Sequence, residues 1–151
     1  MKRRLSALLL VAFMATFSTG SMARDVQWVL RGRAGDRFDP PIAAFLSSNF
    51  GAVIFRATCD PKSHELALDY FGDGVIPLSR KQTLILIGDG AELKLKTRFV
   101  EHRLEGRSAI TPKLKQVLSG SSLDIDAPNE ASEPWHVGKA AVLSLIVNAC
   151  R

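Results

Sequence analysis

Cysteine is scarce in this chain of 151 residues: there are two, Cys59 and Cys150, far apart and with no C-x-x-C pair. That spacing excludes a zinc ribbon or a thioredoxin-type dithiol, which need closely spaced thiols. Histidine is nearly as sparse. His64, His102 and His136 lie in separate segments without H-x-x-x-H spacing, so no metal site is predicted. Neither G-x-S-x-G nor S-x-x-K occurs, which removes the common settings of a nucleophilic serine. Gly32-Arg33-Ala34-Gly35 and Gly72-Asp73-Gly74 do not lie between a strand and a helix as phosphate-cradling loops do. No catalytic residue and no cofactor are therefore assigned. The chain also lacks any apolar run of about 20 residues, the length a membrane-spanning helix requires.

All three methionines fall within the first 22 residues, and that segment has its own grammar. Lys2, Arg3 and Arg4 precede an almost wholly apolar run from Leu5 to Phe17, and Ser21-Met22-Ala23 places small residues at −3 and −1 of a cleavage site. This pattern predicts a secretory signal over 1–23 and one domain over 24–151, in a periplasmic or secreted protein. No cysteine stands near the cleavage site to carry a lipid anchor, so no stable membrane insertion is expected after cleavage. The formal charge of +5 changes meaning accordingly. Without Lys2, Arg3 and Arg4, 17 of the 20 basic residues face 15 acids, and the surplus that would suggest a nucleic-acid partner belongs mostly to the leader.

Export also gives the two cysteines an oxidising compartment, where an even count reads as a disulfide between Cys59 and Cys150. Closing a loop of about 90 residues is worth on the order of 4 to 5 kcal/mol in the chain-entropy model.

Along the mature chain the hydrophobic period is mostly two. Val53, Phe55, Ala57 and Cys59 alternate with Ile54, Arg56 and Thr58, and after the turn at Asp60-Pro61 a second strand runs through Leu66, Leu68 and Tyr70. Leu84-Ile85-Leu86-Ile87 reads as a strand covered on both faces. Asp89-Gly90 then announces a hairpin into one strand containing Leu93, Leu95, Thr97 and Phe99. Short strands are expected at 26–30, 43–47 and 122–126, with a further extended piece over 101–107. Thr111-Pro112 opens a helix that stops at Ser119-Gly120 and buries Leu114, Val117 and Leu118. A last, buried helix is expected over 137–150. The fold class is α+β: a largely antiparallel sheet or sandwich of about six or seven strands, two helices late in the chain, and one disulfide.

Two features bear on binding. The loop from Pro128 to His136 brings Asn129, Glu130, Glu133, Trp135 and His136 together, and loops on a rigid scaffold often carry recognition groups. Its bland reading is a solvated connector, with Trp135 a lid on the core. Lys94, Lys96, Arg98 and Arg103 would line one sheet face, but Glu92, Glu101 and Glu105 interrupt them, and alternation alone predicts such a solvated face.

A strand ending in Phe55-Arg56-Ala57-Thr58-Cys59, several hairpins and an apolar helix ending in Asn148-Ala149-Cys150-Arg151 together resemble small periplasmic proteins of Proteobacteria. The layout is loosely similar to the invasion-associated locus B family and to periplasmic accessory proteins of type VI secretion systems. That resemblance implies a disulfide-braced β-rich domain without transferable catalytic residues. The expected function is non-enzymatic, through a protein partner in the cell envelope. The alternatives are a periplasmic inhibitor of a cell-wall hydrolase, or a small hydrolase or metal-dependent enzyme using Glu130, Glu133 and His136.

Overall fold

A computed structural model describes residues 26–31, 42–47, 52–60, 62–138 and 140–150. The segment read as a leader, 1–23, lies outside them. The described residues form ten strands and two helices: β1 (Val26–Arg31), β2 (Ile42–Ser47), β3 (Val53–Asp60), β4 (Glu65–Tyr70), β5 (Ile85–Gly88), β6 (Ala91–Lys94), β7 (Lys96–Val100), β8 (Arg103–Ala109), α1 (Pro112–Leu118), β9 (Asp124–Asp126), β10 (Trp135–His136) and α2 (Ala141–Ala149). Every strand pairing is antiparallel. Six strands follow the order β1-β2-β3-β4-β8-β7, and four follow β10-β9-β5-β6. The α+β class with late helices and a disulfide is what the sequence periods indicate.

One additional strand is β10, where Trp135 and His136 of the expected loop pair with β9, and another comes from a bend between the sheets. The single strand expected after Asp89-Gly90 is two, because the chain bends at Leu95 and leaves one sheet for the other. The Leu95 N–H donates to the Leu84 carbonyl at 2.9 Å, so the bend is held from β5's side. Gly106 on β8 makes room for it: a Cβ there would stand 2.9 Å from the Leu95 Cβ and 3.1 Å from Leu84 Cδ1. A glycine inside a strand often marks such a close approach. At Asp89 and Gly90 both φ angles are positive, at 41° and 79°, the geometry a tight two-residue hairpin turn demands.

Each sheet turns one face inward. Phe55, Leu66, Leu68, Tyr70 and Leu104 from the six-stranded sheet meet Leu84, Leu86, Leu123 and Ile125, and all are fully buried. Burying each such side chain is worth roughly 1.5 to 3 kcal/mol. Two-sided cover over 84–87 is not observed: Leu84 and Leu86 are buried, whereas Ile85 and Ile87 are half-buried on the other face. Antiparallel sheets, unlike parallel ones, can leave one face to water.

α1 follows its sequence signals. Thr111 Oγ1 accepts the Leu114 N–H at 3.2 Å, and Leu114, Val117 and Leu118 are buried. It packs on β5 and β6. α2 starts at Ala141, later than expected, because Val137 and Gly138 pair in extended form with Leu123, and Gly138 then turns at φ 71°. Leu143, Ile146 and Val147 of α2 are buried, and the helix packs against β2, β3 and α1. Its end is tied to β3 by the Cys59–Cys150 disulfide, with a Cα–Cα distance of 5.6 Å. No helix among the described residues is long and apolar enough to cross a membrane.

Candidate functional site

The loop singled out in the sequence is fastened to the core at several points. Trp135 is buried and meets the Phe55 ring edge-on at 6.1 Å, while Phe55 stacks on Tyr70 at 5.0 Å. The Tyr70 hydroxyl donates to the Pro128 carbonyl. Burial raises the Tyr70 pKa, the negative charge of Asp73 raises it further, and a contact with Trp135 works in the opposite direction. This hydroxyl stays protonated and remains a donor.

Asn129, almost fully buried, closes the loop on itself. Its Nδ2 donates to the carbonyls of Ala127 and Glu133, at 3.1 and 2.5 Å, and its main-chain carbonyl accepts the Ser132 N–H at 3.3 Å. Glu130, Ala131, Ser132, Glu133 and Pro134 are left exposed on a shaped arch. His136 is exposed on β10, with Nδ1 2.7 Å from Asp124 Oδ1. Among the described residues, no group of three or more His, Cys, Asp or Glu side chains is placed to hold a metal ion.

A second loop, read from the sequence only as the strand breaker Phe71-Gly72-Asp73-Gly74, is fastened to the first. Asp73 Oδ1 accepts the N–H groups of Val75 and Ile76 at 3.0 and 3.3 Å, an aspartate turn. Its Oδ2 accepts the Glu130 N–H at 3.1 Å, 57 residues further on. Burial acts to raise the Asp73 pKa, but the donors at Val75, Glu130 and Ile76 outweigh it and hold the carboxyl below its usual range. Phe71 and Val75, on this second loop, are 38% and 57% exposed, and with Val53 and Leu145 they are the exposed large hydrophobic residues of the described chain. Phe71 extends β4 by donating its N–H to the Ile54 carbonyl at 3.0 Å, and the Arg56 guanidinium lies 5.3 Å from its ring centre.

Comparison with protein families, with curated proteins and with solved structures finds no match for this chain. The candidate surface therefore rests on its own geometry.

The basic stripe read from the sequence is rearranged. Lys94 belongs to β6 in the smaller sheet, while Lys96, Arg98 and Arg103 lie on the outer face of the larger one. The interrupting acid Glu105 is buried and accepts from Arg98 Nε and Arg107 Nε, each at 2.6 Å. Beside it, buried Asp69 accepts from Arg56 Nε at 3.0 Å and Arg103 Nε at 3.1 Å. Arg56, Asp69 and Arg107 were not marked in the sequence. The alternation of Arg103, Glu105 and Arg107 along one strand face was the available signal, but the partners on β3 and β4 depend on register.

Proposed function

We propose that this chain is a non-enzymatic, disulfide-braced protein of the periplasm that acts by binding another protein of the cell envelope. One observation carries the reading: Asp73 joins two loops, so that Phe71 and Val75 are held on the surface beside the exposed arch 130–134. Exposed aromatic and aliphatic side chains on a pre-shaped loop pair suit recognition, because little order has to be bought on binding. The leader-like start and the disulfide support an exported location. The likeness to locus B and secretion-accessory proteins is part of the same proposal.

The test is affinity capture from a periplasmic extract with the native chain and with a Phe71→Ala, Val75→Ser variant. A specific partner retained by the first and lost by the second is expected. Absence of any partner, together with a strong melting shift caused by a small molecule, would overturn the reading. The arch, exposed between fixed ends, also favours a more particular version, an inhibitor that inserts 130–134 into the cleft of a cell-wall hydrolase. Deleting 129–133 would then abolish inhibition while leaving the domain folded.

A further inference from the structure

The outer face of the six-stranded sheet carries charges in a defined lattice. Register places Arg56, Asp69, Glu105 and Arg98 side by side in one row across β3, β4, β8 and β7. The neighbouring row sets Arg107 directly opposite Lys96, and the row on the other side contains Arg103 opposite Val100. Five cations and two carboxylates thus occupy three rows about 14 Å wide, taking strand spacing as about 4.8 Å. The remaining acids that touch these arginines, Glu65 and Glu101, sit at the two ends, outside the rows.

Depth separates the signs. The side chains of Asp69 and Glu105 are 6% exposed, whereas those of Arg98, Arg56, Arg107 and Arg103 are 59%, 39%, 31% and 19% exposed. Arg98 is held by its inner Nε alone, whereas Arg56, Arg103 and Arg107 each also give one terminal nitrogen to a carboxylate, to Asp69, Glu101 and Glu65 respectively. Two terminal nitrogens of Arg98 and one of each other arginine lie outside these contacts. Lys96 and Arg107 are a like-charged pair in direct opposition, an unfavourable cross-strand arrangement, and Lys96 makes no ion pair with any described residue. A repeated external anion would relieve it. The exposed Phe71 ring borders the same face next to Arg56.

We infer that this face docks peripherally on an anionic lipid surface, with guanidinium groups meeting headgroup phosphates. Arginine matches phosphate with two parallel donors, and a broad array suits phosphates presented side by side in a plane better than one bound anion. This surface meets the partner-binding loops at Phe71, but its charged rows lie on the sheet and do not depend on the reading of those loops.

The experiment is co-sedimentation of the exported, cleaved protein with vesicles of phosphatidylglycerol and phosphatidylcholine, against vesicles of phosphatidylcholine alone. Binding is expected only to the anionic vesicles, and it is expected to vanish at high salt. Lys96→Gln with Arg98→Gln should weaken it on the order of 25-fold, about fivefold for each cation removed near such a surface. If the double variant melts early, Lys96→Gln alone, which breaks no ion pair with a described residue, should still show the fivefold loss. Equal binding to both vesicle types, binding to neither, or an unchanged affinity in the variants overturns the inference. Capture by soluble polyglutamate without vesicle binding would overturn it in favour of an acidic protein partner.

Discussion

Asp69 and Glu105 stand directly opposite each other on β4 and β8, two buried carboxylates in like-charged opposition. Such a pair is destabilising by itself. Here four arginines surround it, two on each acid, so the row is neutralised from both edges. The sheet face is thus held by a network whose acids are inside and whose cations reach water.

Acid should dissolve this network. Burial pushes the Glu105 pKa up, but hydrogen bonds and charge from Arg107 and Arg98 outweigh it and hold the carboxyl below its usual range. A carboxyl with a lower pKa in the folded state contributes stability above the unfolded pKa of about 4.3, and loses it as pH falls through the folded value. Thermal unfolding from pH 7 to pH 2 should show the native chain losing stability below about pH 4 more steeply than Glu105→Gln does. At pH 7 that variant should be weaker by on the order of 1 to 2 kcal/mol, since its arginines still reach water.

The disulfide should matter more than any single ion pair. It joins residues 91 apart and fastens the end of α2 to β3. His64 adds a contact at the same place, its Nδ1 donating to the Cys150 carbonyl at 3.2 Å. Replacing both cysteines by Ala should cost about 4 to 5 kcal/mol in denaturant unfolding by the chain-entropy estimate. Hydrogen exchange should show α2 losing protection before β3 and β4 do.

What the sequence disclosed and what it hid divide along contact range. Alternation along 53–59 and 65–70, the Asp89-Gly90 turn, the Thr111-Pro112 cap and the lone cysteine pair are encoded within a few residues or by elimination. Each is present in the fold. The bend at Leu95 is hidden because Leu93, Leu95, Thr97 and Phe99 keep a perfect period of two through it. Its cause lies in Leu84 and Gly106, which are distant in sequence. The candidate loop was visible as a composition, yet its shape depends on Tyr70 and Asp73, more than 50 residues earlier. Gly72-Asp73-Gly74 looked like a strand breaker, and the aspartate turn agrees with that, but its second oxygen serves a contact no local rule contains.

The β7–β8 turn offers a gain in stability. Glu101 and His102 both have positive φ, 43° and 67°, where a tight hairpin turn prefers Asn-Gly. His102→Gly should remove a Cβ from a left-handed position and stabilise the domain by on the order of 1 kcal/mol, read as a raised denaturation midpoint with an unchanged slope. The Glu101 contact to Arg103 is kept in that variant.

Asp73 decides whether the two loops behave as one surface. Its carboxylate satisfies three backbone donors, at Val75, Ile76 and Glu130, and only the last crosses between loops. Asp73→Ala should cost about 1 to 3 kcal/mol if those donors lose partners fully, and less where water replaces the carboxylate. Asp73→Asn keeps an acceptor oxygen for one loop but replaces the other oxygen with a donor, so the contact to the Glu130 N–H fails first. Hydrogen exchange should then show faster exchange at Glu130 in Asp73→Asn, and at Val75, Ile76 and Glu130 in Asp73→Ala. The core strand β4 should be unaffected in both. If partner capture falls in Asp73→Asn while the melting temperature holds, the surface works through the coupling of the loops. Capture that survives Asp73→Ala would mean that Phe71 and Val75 act without the arch.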